Sequence, residues 1–481
     1  MNSTVVKVPF EKFSLFFRKF GIYIHSEKVR TLTRKHPNDF VRIFKFPWYD
    51  VVYYLIFRSE KCTQAEITKY YSEINKSDIR ISKQAAFKAL KKVNPMVFVD
   101  LIYKFSELFY KSDLIKTYKG YVLLAEDGTT HELRPSKEPL EQFGFVVNQF
   151  IQNEDDAKKS TSRSAVLYDI TNGLVVDFSM NPFKKSEIPI AIEHLEKCHT
   201  LFEGRKVIYL ADRYYGSIEL FSILESYGFH YCVRGKSNFF KKYISQMKTN
   251  DEWIEIILDK AWLKRLKYAQ AKERFSESPT IRIRVIKYTY TYLDKQGNPH
   301  SAELIYFTNL SQEEFSTQDI VDLYGKRWDI ECTYKTLKTD YEWERFLSKD
   351  CDCEQCSIHA KVLFHNITGV IRKHFDSILK KDTNNLTNKY VYNVNIVQLS
   401  NLLRENHICR WIRNKNDKGI NYLMCLALKM IHKIKVPIRR GRHNQRWGRS
   451  VTSSNTTRFR LDGRNWPTIA YVKGRLRTIQ P

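Results

Sequence analysis

The stretch Tyr324-Gly-Lys-Arg-Trp-Asp-Ile-Glu-Cys-Thr-Tyr-Lys-Thr-Leu-Lys338 carries four chemically distinct side chains at a defined spacing. At about 100° per residue, these four positions fall within an arc of about 60° around an α-helix. One helical face would then present a carboxylate metal ligand beside three groups that suit a phosphate. An exposed helix with paired opposite charges is the alternative interpretation. The four residues are Tyr324, Arg327, Glu331 and Lys338.

The residues just upstream predict where this helix begins. Ser316 and Asp319 have the spacing of an N-cap residue and its acidic partner, in which each side chain accepts a hydrogen bond from a backbone N–H group. We therefore expect one helix from about Thr317 onward, extending through Glu331.

Downstream, three cysteines and a histidine have the ligand types of a zinc site: Cys351, Cys353, Cys356 and His359. Their first spacing is tighter than the usual one and no second pair matches, so zinc binding stays open. The alternative is a loop leading into a helix over residues 358–371. The nine cysteines of the chain are an odd number scattered over a long sequence, and we expect reduced thiols.

Composition restricts the class of partner. The chain has 481 residues, with Lys+Arg 80 against Asp+Glu 53, which gives a net charge of +27. Such an excess favours a polyanion, because lysine and arginine neutralise phosphates and release counterions. A membrane is the rival, but no stretch approaches the roughly 20 apolar residues that span one. The start, Met1 to Lys7, lacks the apolar segment of a secretion signal, so we expect a cytoplasmic protein.

Residues 1 to about 115 have a helical pattern, and we interpret them as a DNA-binding domain. Val51 to Phe57 is a short core segment, and Thr63 opens a helix to about Tyr71. After a polar turn at residues 75–78, Ser82 caps a second, basic helix that has the right form to enter a major groove. A plain packing hairpin is an equally good interpretation.

From Tyr121 the pattern changes to β-strands alternating with helices. Thr171-Asn172-Gly173 is a strong hairpin turn between two of the strands. The order β-β-β-α-β-α-β predicts an α/β fold with a mixed sheet, an antiparallel hairpin and parallel crossovers. The predicted strands lie at 121–125, 164–168, 174–178, 206–211 and 230–234, and the helices at 186–195 and 218–227.

Residues 235–315 alternate between apolar and polar, which predicts a β-rich insertion with a basic face. Its strands at 281–292 and 302–308 are joined by a Gln296-Gly297-Asn298 turn. Helices follow to about Lys435, and the tail from Pro437 to Pro481 has eleven Arg/Lys against the single acid Asp462. This tail is suited to phosphate contacts or is a solvated appendage.

Two predicted strands end in an aspartate. Asp127 and Asp212 each follow an apolar run that an α/β sheet would place near its centre, where the carboxyl ends of strands converge on sites. With Glu331 from the helix, three hard oxygen ligands meet, a set that suits Mg²⁺ or Mn²⁺. Two such ions would hold the attacking and leaving oxygens of a phosphodiester displacement. Asp-Gly is also a common turn dipeptide, which is the plainer interpretation of Asp127-Gly128.

Together these motifs resemble the acid triad and the Tyr-Arg-Glu-Lys signature of cut-and-paste transposases in the insertion-sequence-four family. The resemblance covers about Tyr121 to Asn366 and includes an insertion between the second aspartate and the glutamate, 331 − 212 = 119 positions apart. It implies a ribonuclease-H-like mixed-sheet core over residues 116–370, interrupted by the β-rich insertion 235–315. The helical N-terminal domain would be 1–115, and a helical, basic C-terminal region would be 371–481.

The resemblance also implies roles for the residues. Asp127, Asp212 and Glu331 would bind two Mg²⁺ ions, with Mn²⁺ able to substitute, and Tyr324, Arg327 and Lys338 would hold phosphates of the transposon end. The enzyme would cut the element's ends with metal-activated water. The freed 3′-hydroxyl would then attack the opposite strand, giving a hairpin, and later the target. The partner would be double-stranded DNA, both transposon ends and target, bound by a homodimer associated with a bacterial nucleoid.

Four further residues are candidate DNA contacts, and two acids are possible competitors for the triad. Relatives stack a flipped base on a tryptophan of the insertion, which makes Trp253 or Trp262 a candidate, although either suits a core equally well. Glu126 should point to the opposite face from Asp127, and Glu342 lies three helical turns from Glu331. Arg213 and Arg234, at predicted strand ends, are the remaining candidates.

Two other functions fit the same residues. A ribonuclease-H-like nuclease would cleave without joining. A transposon-derived regulator would keep the basic surfaces without catalysis, although the presence of all three acids argues against it.

Overall fold

The structure is a computed structural model that describes most of the chain. The first nine residues, where we expect no secretion signal, and most of the tail after Ile438 lie outside the described residues. The described residues are 10–41, 45–59, 62–133, 136–146, 160–236, 238–293, 297–345, 348, 350–383, 390–438, 468–472 and 475–479.

The N-terminal part is helical, as predicted. The core segment at residues 51–57 lies in the third helix, where every residue from Val51 to Phe57 is buried, Tyr53 and Tyr54 included. The helices are α1 (Glu11–Ile24), α2 (Glu27–Thr33), α3 (Trp48–Phe57), α4 (Thr63–Glu73), α5 (Lys83–Leu90) and α6 (Met96–Tyr110).

The predicted helix pair is α4 and α5. Ser82 caps α5, and its hydroxyl accepts a hydrogen bond from the Ala85 N–H at 3.2 Å. Gln64 on α4 fixes the approach of the two helices, since its side-chain oxygen accepts from the Lys83 N–H at 2.8 Å. Lys83 and Lys88 on α5 are exposed, so this helix presents a basic face.

One mixed sheet of eight strands forms the centre of the molecule. β1 runs antiparallel to β2 and parallel to β4, and β4 runs parallel to β5. The strands are β1 (Tyr121–Leu133), β2 (Ser160–Asp169), β3 (Leu174–Pro182), β4 (Lys206–Ala211), β5 (His230–Arg234), β6 (Asp251–Ile257), β7 (Thr280–Leu293) and β8 (Pro299–Thr308). Their spatial order is β3-β2-β1-β4-β5-β8-β7-β6, and the α/β prediction with a mixed sheet is confirmed.

Two predictions about this sheet need correction. β1 does not end at Asp127-Gly128, because antiparallel pairing with β2 continues to Leu133. The insertion does not alternate throughout, since it contains helices between its strands. Its strands join the central sheet through the antiparallel pair β5–β8. The helices before residue 316 are α7 (Lys137–Phe143), α8 (Glu187–Cys198), α9 (Ile218–Ser226), α10 (Lys241–Ile244), α11 (Lys260–Arg265) and α12 (Ala269–Glu277), with a 3₁₀ turn at His199–Phe202.

A long, largely buried helix supports the sheet after the signature region. It contacts α3, α6 and β3. The helix also runs without a break across residues 370 and 371, where we place the boundary between the catalytic and C-terminal regions. The remaining elements are α13 (Thr317–Gly325), α14 (Trp328–Lys335), a π-helical segment (Thr336–Asp340), α15 (Cys351–Thr383), β9 (Val391–Val394), α16 (Ile396–Glu405), α17 (Ile408–Arg413), α18 (Asp417–Met430), β10 (Lys435–Ile438), β11 (Thr468–Val472) and β12 (Arg475–Ile479). The supporting helix is α15.

The cysteine cluster lies within α15 and not in a loop, so that expectation was wrong. Cys351, Cys353 and Cys356 are buried in its first turns, and all nine cysteines are free thiols. The His359 ring nitrogen Nδ1 lies 2.8 Å from the Gln355 carbonyl oxygen one turn earlier. Within the described residues, no group of three or more His, Cys, Asp or Glu could hold a metal ion. No helix in the described part of the chain is both long and apolar enough to cross a membrane.

Candidate active site

Two carboxylates lie at the point where β1 separates from β4. The last parallel pair joins Glu126 to Ala211, and Asp127 and Asp212 are the next residues on the two paths. Neighbouring strands in register project paired side chains to the same face, with backbones about 5 Å apart. The two aspartates are therefore neighbours on one face of the sheet.

A cation extends this row to the next strand. The last parallel pair of β4 and β5 joins Ala211 to Val233, so Arg234 follows at the level of Asp212. Arg234 also pairs with Tyr306 on β8, whose ring lies 5.1 Å from the ring of Tyr324. The row thus runs from Asp127 through Asp212 to Arg234, at the level where the parallel pairing of β1, β4 and β5 ends.

Asp127 is held in a largely buried position. Its Oδ1 accepts a hydrogen bond from the Gly128 N–H at 2.9 Å. Its pKa is raised to about 7, mainly by burial and to a smaller extent by the negative charge of Asp212. The positive charge of Arg327 acts against this rise. Asp127 therefore lies in a site with too little positive charge to keep it fully ionised at neutral pH.

Asp212 is partly buried, like Asp127, and begins a turn. The Tyr214 N–H donates to Asp212 Oδ1 at 2.7 Å, and the Tyr215 N–H donates to the Asp212 carbonyl oxygen at 3.2 Å. These two hydrogen bonds fix the backbone at the end of β4, in the manner of an Asx turn. The aspartate is thereby held at the edge of the sheet.

The signature residues do not share one regular helix, which corrects the single-helix prediction. The capping box of Ser316 and Asp319 is present, as expected. However, α13 ends at Gly325 and α14 begins at Trp328. Hydrogen bonds of the tighter i to i−3 type join them, and the π-helical segment after Lys335 widens the next turn. The regular 100° step therefore fails on both sides of Glu331.

Arg327 nevertheless links the helix to the sheet. Its Nη2 donates to Glu331 Oε1 at 2.6 Å, and its Nη1 lies 3.7 Å from Asp127 Oδ2. The guanidinium also lies over the ring of Tyr324, 5.7 Å from its centre. The structure thus brings Tyr324, Arg327 and Glu331 to Asp127, with the guanidinium between two acids.

Lys338 lies to one side of this group. Its Nζ donates to Thr129 Oγ1 at 2.7 Å and to the Thr130 carbonyl oxygen at 2.8 Å. Lys338 Nζ also lies 3.9 Å from Glu344 Oε1. It therefore lies beside β1 two to three residues beyond Asp127, where it could contact a strand that runs past the acids.

Three residues of this site were missed from the sequence. Tyr334 donates its hydroxyl to the Asp127 carbonyl oxygen at 2.6 Å and so fixes the strand beneath the carboxylate. Glu187, the first residue of α8, pairs with Arg163 at 2.7 Å, and its charge contributes to the raised pKa of Asp127. No spacing in the sequence connects these residues to Asp127. The one sequence signal was that Glu187 directly follows Ser186, the N-cap residue of α8.

Glu126 is not a competing ligand, as alternation predicted. It is fully buried on the opposite face, where its Oε1 lies 2.9 Å from His194 Nδ1. Glu342 is likewise outside the site, because it pairs with Arg345 at 2.6 Å. Asp127 is therefore the carboxylate that β1 presents to the site.

The two tryptophans occupy different parts of the insertion. Trp253 lies on β6 with the Arg282 guanidinium 4.9 Å from its ring, whereas Trp262 lies on α11 and is 37% exposed. The ring of Trp262 is 6.4 Å from the ring of Phe240. Arg213 is exposed directly after Asp212. Both aromatic rings are open enough to remain candidate DNA contacts.

The sequence of this chain is similar to that of a known protein family. The family model described as Transposase DDE domain matches residues 118–367, which is more than half of the chain. A cryo-EM structure of the piggyBac transposase synaptic complex with hairpin DNA is similar at 9% identity, with a TM-score of 0.42. That similarity covers 90% of this chain and 87% of the piggyBac chain. No curated protein matches. The matched region contains Asp127, Asp212 and Glu331, and the chain belongs to the DDE transposase family.

Proposed function

We propose that this protein is a DNA transposase of the insertion-sequence-four type. It would bind the terminal inverted repeats of an insertion sequence, cleave its ends and join the 3′-hydroxyl ends to target DNA. The observation that carries this proposal is the row of Asp127 and Asp212 at the sheet edge, with Arg327 between Asp127 and Glu331. The order β3-β2-β1-β4-β5 with mixed directions supports a ribonuclease-H-like core.

The three acids have the donor atoms of a magnesium site, although in the described residues they are not gathered closely enough to hold an ion without a rearrangement. Asp127, Asp212 and Glu331 offer only carboxylate oxygens, the ligands that Mg²⁺ and Mn²⁺ prefer. Burial, and to a smaller extent the charge of Asp212, raise the pKa of Asp127, and a divalent cation would relieve the repulsion between the two acids. When bound, two such ions would supply a nucleophilic water and neutralise charge on the reacting phosphate. Glu331 would join the aspartates after giving up its pairing with Arg327.

The signature side chains would then act on phosphate. The Arg327 guanidinium is a planar fork that already bridges two acids, and a phosphate presents the same oxygen geometry. The Tyr324 ring, which lies against the Arg327 guanidinium, would hold it in position. Lys338 would neutralise a neighbouring phosphate. Cleavage breaks the bond between phosphorus and the 3′ oxygen, which leaves as a 3′-hydroxyl. That hydroxyl would then attack the opposite strand to give a hairpin. A second water would open the hairpin and release the 3′-hydroxyl again, which would then attack the target.

The remaining surfaces suit double-stranded DNA. The exposed lysines of α5, with the tail, would bind the transposon end through its phosphates. We propose a homodimer on DNA in the bacterial cytoplasm, associated with the nucleoid. The proposed domains are 1–115 for DNA binding, 116–370 for catalysis with the insertion 235–315, and 371–481 for the basic C-terminal region.

Strand transfer separates this function from the nuclease alternative. The substrate is a duplex carrying an inverted repeat from the DNA that flanks the gene, already cut to expose the 3′-hydroxyl. We expect the protein to join this end to a supercoiled plasmid in Mg²⁺. Cleavage of an uncut end without any joining of the pre-cut end would favour a nuclease.

A further inference from the structure

An exposed aromatic side chain lies directly beside the row of Asp127, Asp212 and Arg234. Tyr214 is 57% exposed, although its backbone N–H is bound to Asp212 Oδ1 at 2.7 Å. The next residue, Tyr215, is fully buried. The turn is therefore anchored by Tyr215, and the Tyr214 ring lies at the surface beside Asp212.

Two cations gather around this ring. Lys236 Nζ lies 4.4 Å from the ring centre, and the Arg213 guanidinium carbon lies 5.6 Å from it. Lys236 follows the end of β5, and Arg213 follows the end of β4, so both come from the edge that holds Asp212. Cations within about 6 Å of a ring centre make cation–π interactions with it.

These cations have no acidic partner of their own. Across the described residues, neither Arg213 nor Lys236 forms an ion pair, although carboxylates are close by on the same edge. Two unpaired cations on one ring repel each other, and an anion between them would remove that repulsion. An aromatic ring beside phosphate-binding groups is the arrangement that binds unpaired nucleotides, and a base would stack on this ring once the cation over its face moves to a phosphate.

We propose that Tyr214 is a stacking platform for an unpaired nucleobase of the DNA strand next to the reacting phosphate, with Lys236 and Arg213 on the adjoining phosphate. This inference rests on the proposed function, since it assigns the occupant of the same edge. It adds a contact at the end of β4 that lies outside the signature helix and outside the insertion. Stacking on an aromatic face is tolerant of sequence, so the site would select unpaired structure and not a particular base.

A forked DNA tests the platform directly. The probe is a duplex with a short unpaired arm carrying 2-aminopurine, compared with the fully paired duplex, in Ca²⁺ to prevent cleavage. We expect the full-length protein to prefer the fork and to quench the 2-aminopurine fluorescence. Tyr214→Phe should behave like the wild type, whereas Tyr214→Leu and Tyr214→Ala should lose about 5- to 100-fold in fork affinity with duplex affinity unchanged.

The control and the cation test make the result specific. Tyr422 on α18 is 63% exposed and remote in sequence, so Tyr422→Ala should leave fork binding unchanged. Lys236→Ala should lower the salt slope of fork binding by about one. Wild-type fork preference and quenching in Tyr214→Leu would overturn the inference while leaving the proposed function intact. Failure of the wild type to cut or join terminal DNA would instead count against the proposed function.

Discussion

Ionisation of Asp127 destabilises the folded, metal-free protein. Burial, and then the charge of Asp212, raise its pKa to about 7, against about 3.9 in an unfolded chain. A carboxyl whose pKa is higher in the folded state binds its proton more tightly there. Its ionisation therefore weakens the folded state progressively as the pH rises from about 4 to about 7.

Asp127→Asn should therefore stabilise the protein while abolishing strand nicking. In urea unfolding with EDTA, we expect a gain of roughly 1–3 kcal/mol at pH 8 and a smaller gain at pH 5. The matched control is Asp319→Asn, because a hydrogen bond from Lys119 lowers the pKa of Asp319 to about 2. That substitution should destabilise the protein at pH 8. An equal gain from Asp127→Asn at both pH values would contradict this account of the site.

Arg327 should act on the reaction and not on metal binding. Arg327→Ala removes the guanidinium near Asp127 and Glu331, so Mn²⁺ affinity should be kept or increased in a titration. Cleavage and joining should fall by about 100-fold, the usual loss for one group that stabilises charge in a transition state. Arg327→Lys should recover part of this loss, because an ammonium cannot form the planar fork. Wild-type rates in both variants would make the signature spacing a coincidence.

At the scale of elements, local patterns predicted what local interactions determine. The capping box at Ser316, the cap at Ser82 and the turn at Gly173 all depend on a few consecutive residues, and each is present. The continuation of β1 past Asp127-Gly128 was not predictable in this way. It depends on pairing with β2, a strand more than thirty residues away. The backbone of β1 beyond Gly128 pairs with β2 and therefore does not form a turn.

The break between α13 and α14 has the same kind of cause. Tyr324, Arg327 and Glu331 are all compatible with one helix, and nothing in their side chains requires a tight turn at Lys326. The side-chain contacts of Arg327 to Asp127 and of Tyr334 to the Asp127 carbonyl join this segment to the sheet. The chemistry of these residues thus grouped side chains that the structure also brings together, although the regular geometry assumed for them was wrong.

A glycine contact tests how α15 packs on the sheet. A Cβ atom on Gly369 would lie 2.1 Å from the Gly173 carbonyl oxygen, which is backbone and cannot move aside alone. Gly369→Ala should therefore lower the free energy of unfolding by about 1–3 kcal/mol, despite the better helix propensity of alanine. The control is Gly325→Ala, also in a helix but with no atom within 4 Å, which should raise stability by about 0.5–1 kcal/mol. Equal effects in chemical denaturation would show that the contact is not close.

For the whole molecule, we expect the net charge of +27 to dominate encounters with DNA. Truncation after Ile438 keeps the β9–β10 pair but removes eleven Arg/Lys residues. Nonspecific duplex affinity should then depend less steeply on salt concentration, since fewer counterions are released. Fluorescence anisotropy at several salt concentrations measures this slope. An unchanged slope would mean that the tail is only a solvated appendage, and end recognition would fall to the N-terminal helices.

The arrangement of the whole sheet was the least predictable feature. Its strands were found from their apolar patterns, and the mixed directions followed from the connections between them. That β8 would pair with β5, and so carry the insertion onto the central sheet, depends on contacts between distant residues such as Val233 and Phe307. This pairing brings Tyr306 of β8 beside Tyr324, so the sheet and the signature region are in contact.

The most direct test of the central claim measures nicking and joining by Asp212→Ala on DNA with the inverted repeats that flank the gene. We expect the wild type in Mg²⁺ to nick the repeat ends and to join pre-cut 3′ ends to a plasmid. Asp212→Ala should do neither while binding the same DNA with unchanged affinity, because an acid that holds metal is needed for chemistry and not for recognition. Nicking and joining by Asp212→Ala at the wild-type rate would contradict the assignment of this site as the catalytic centre of a transposase.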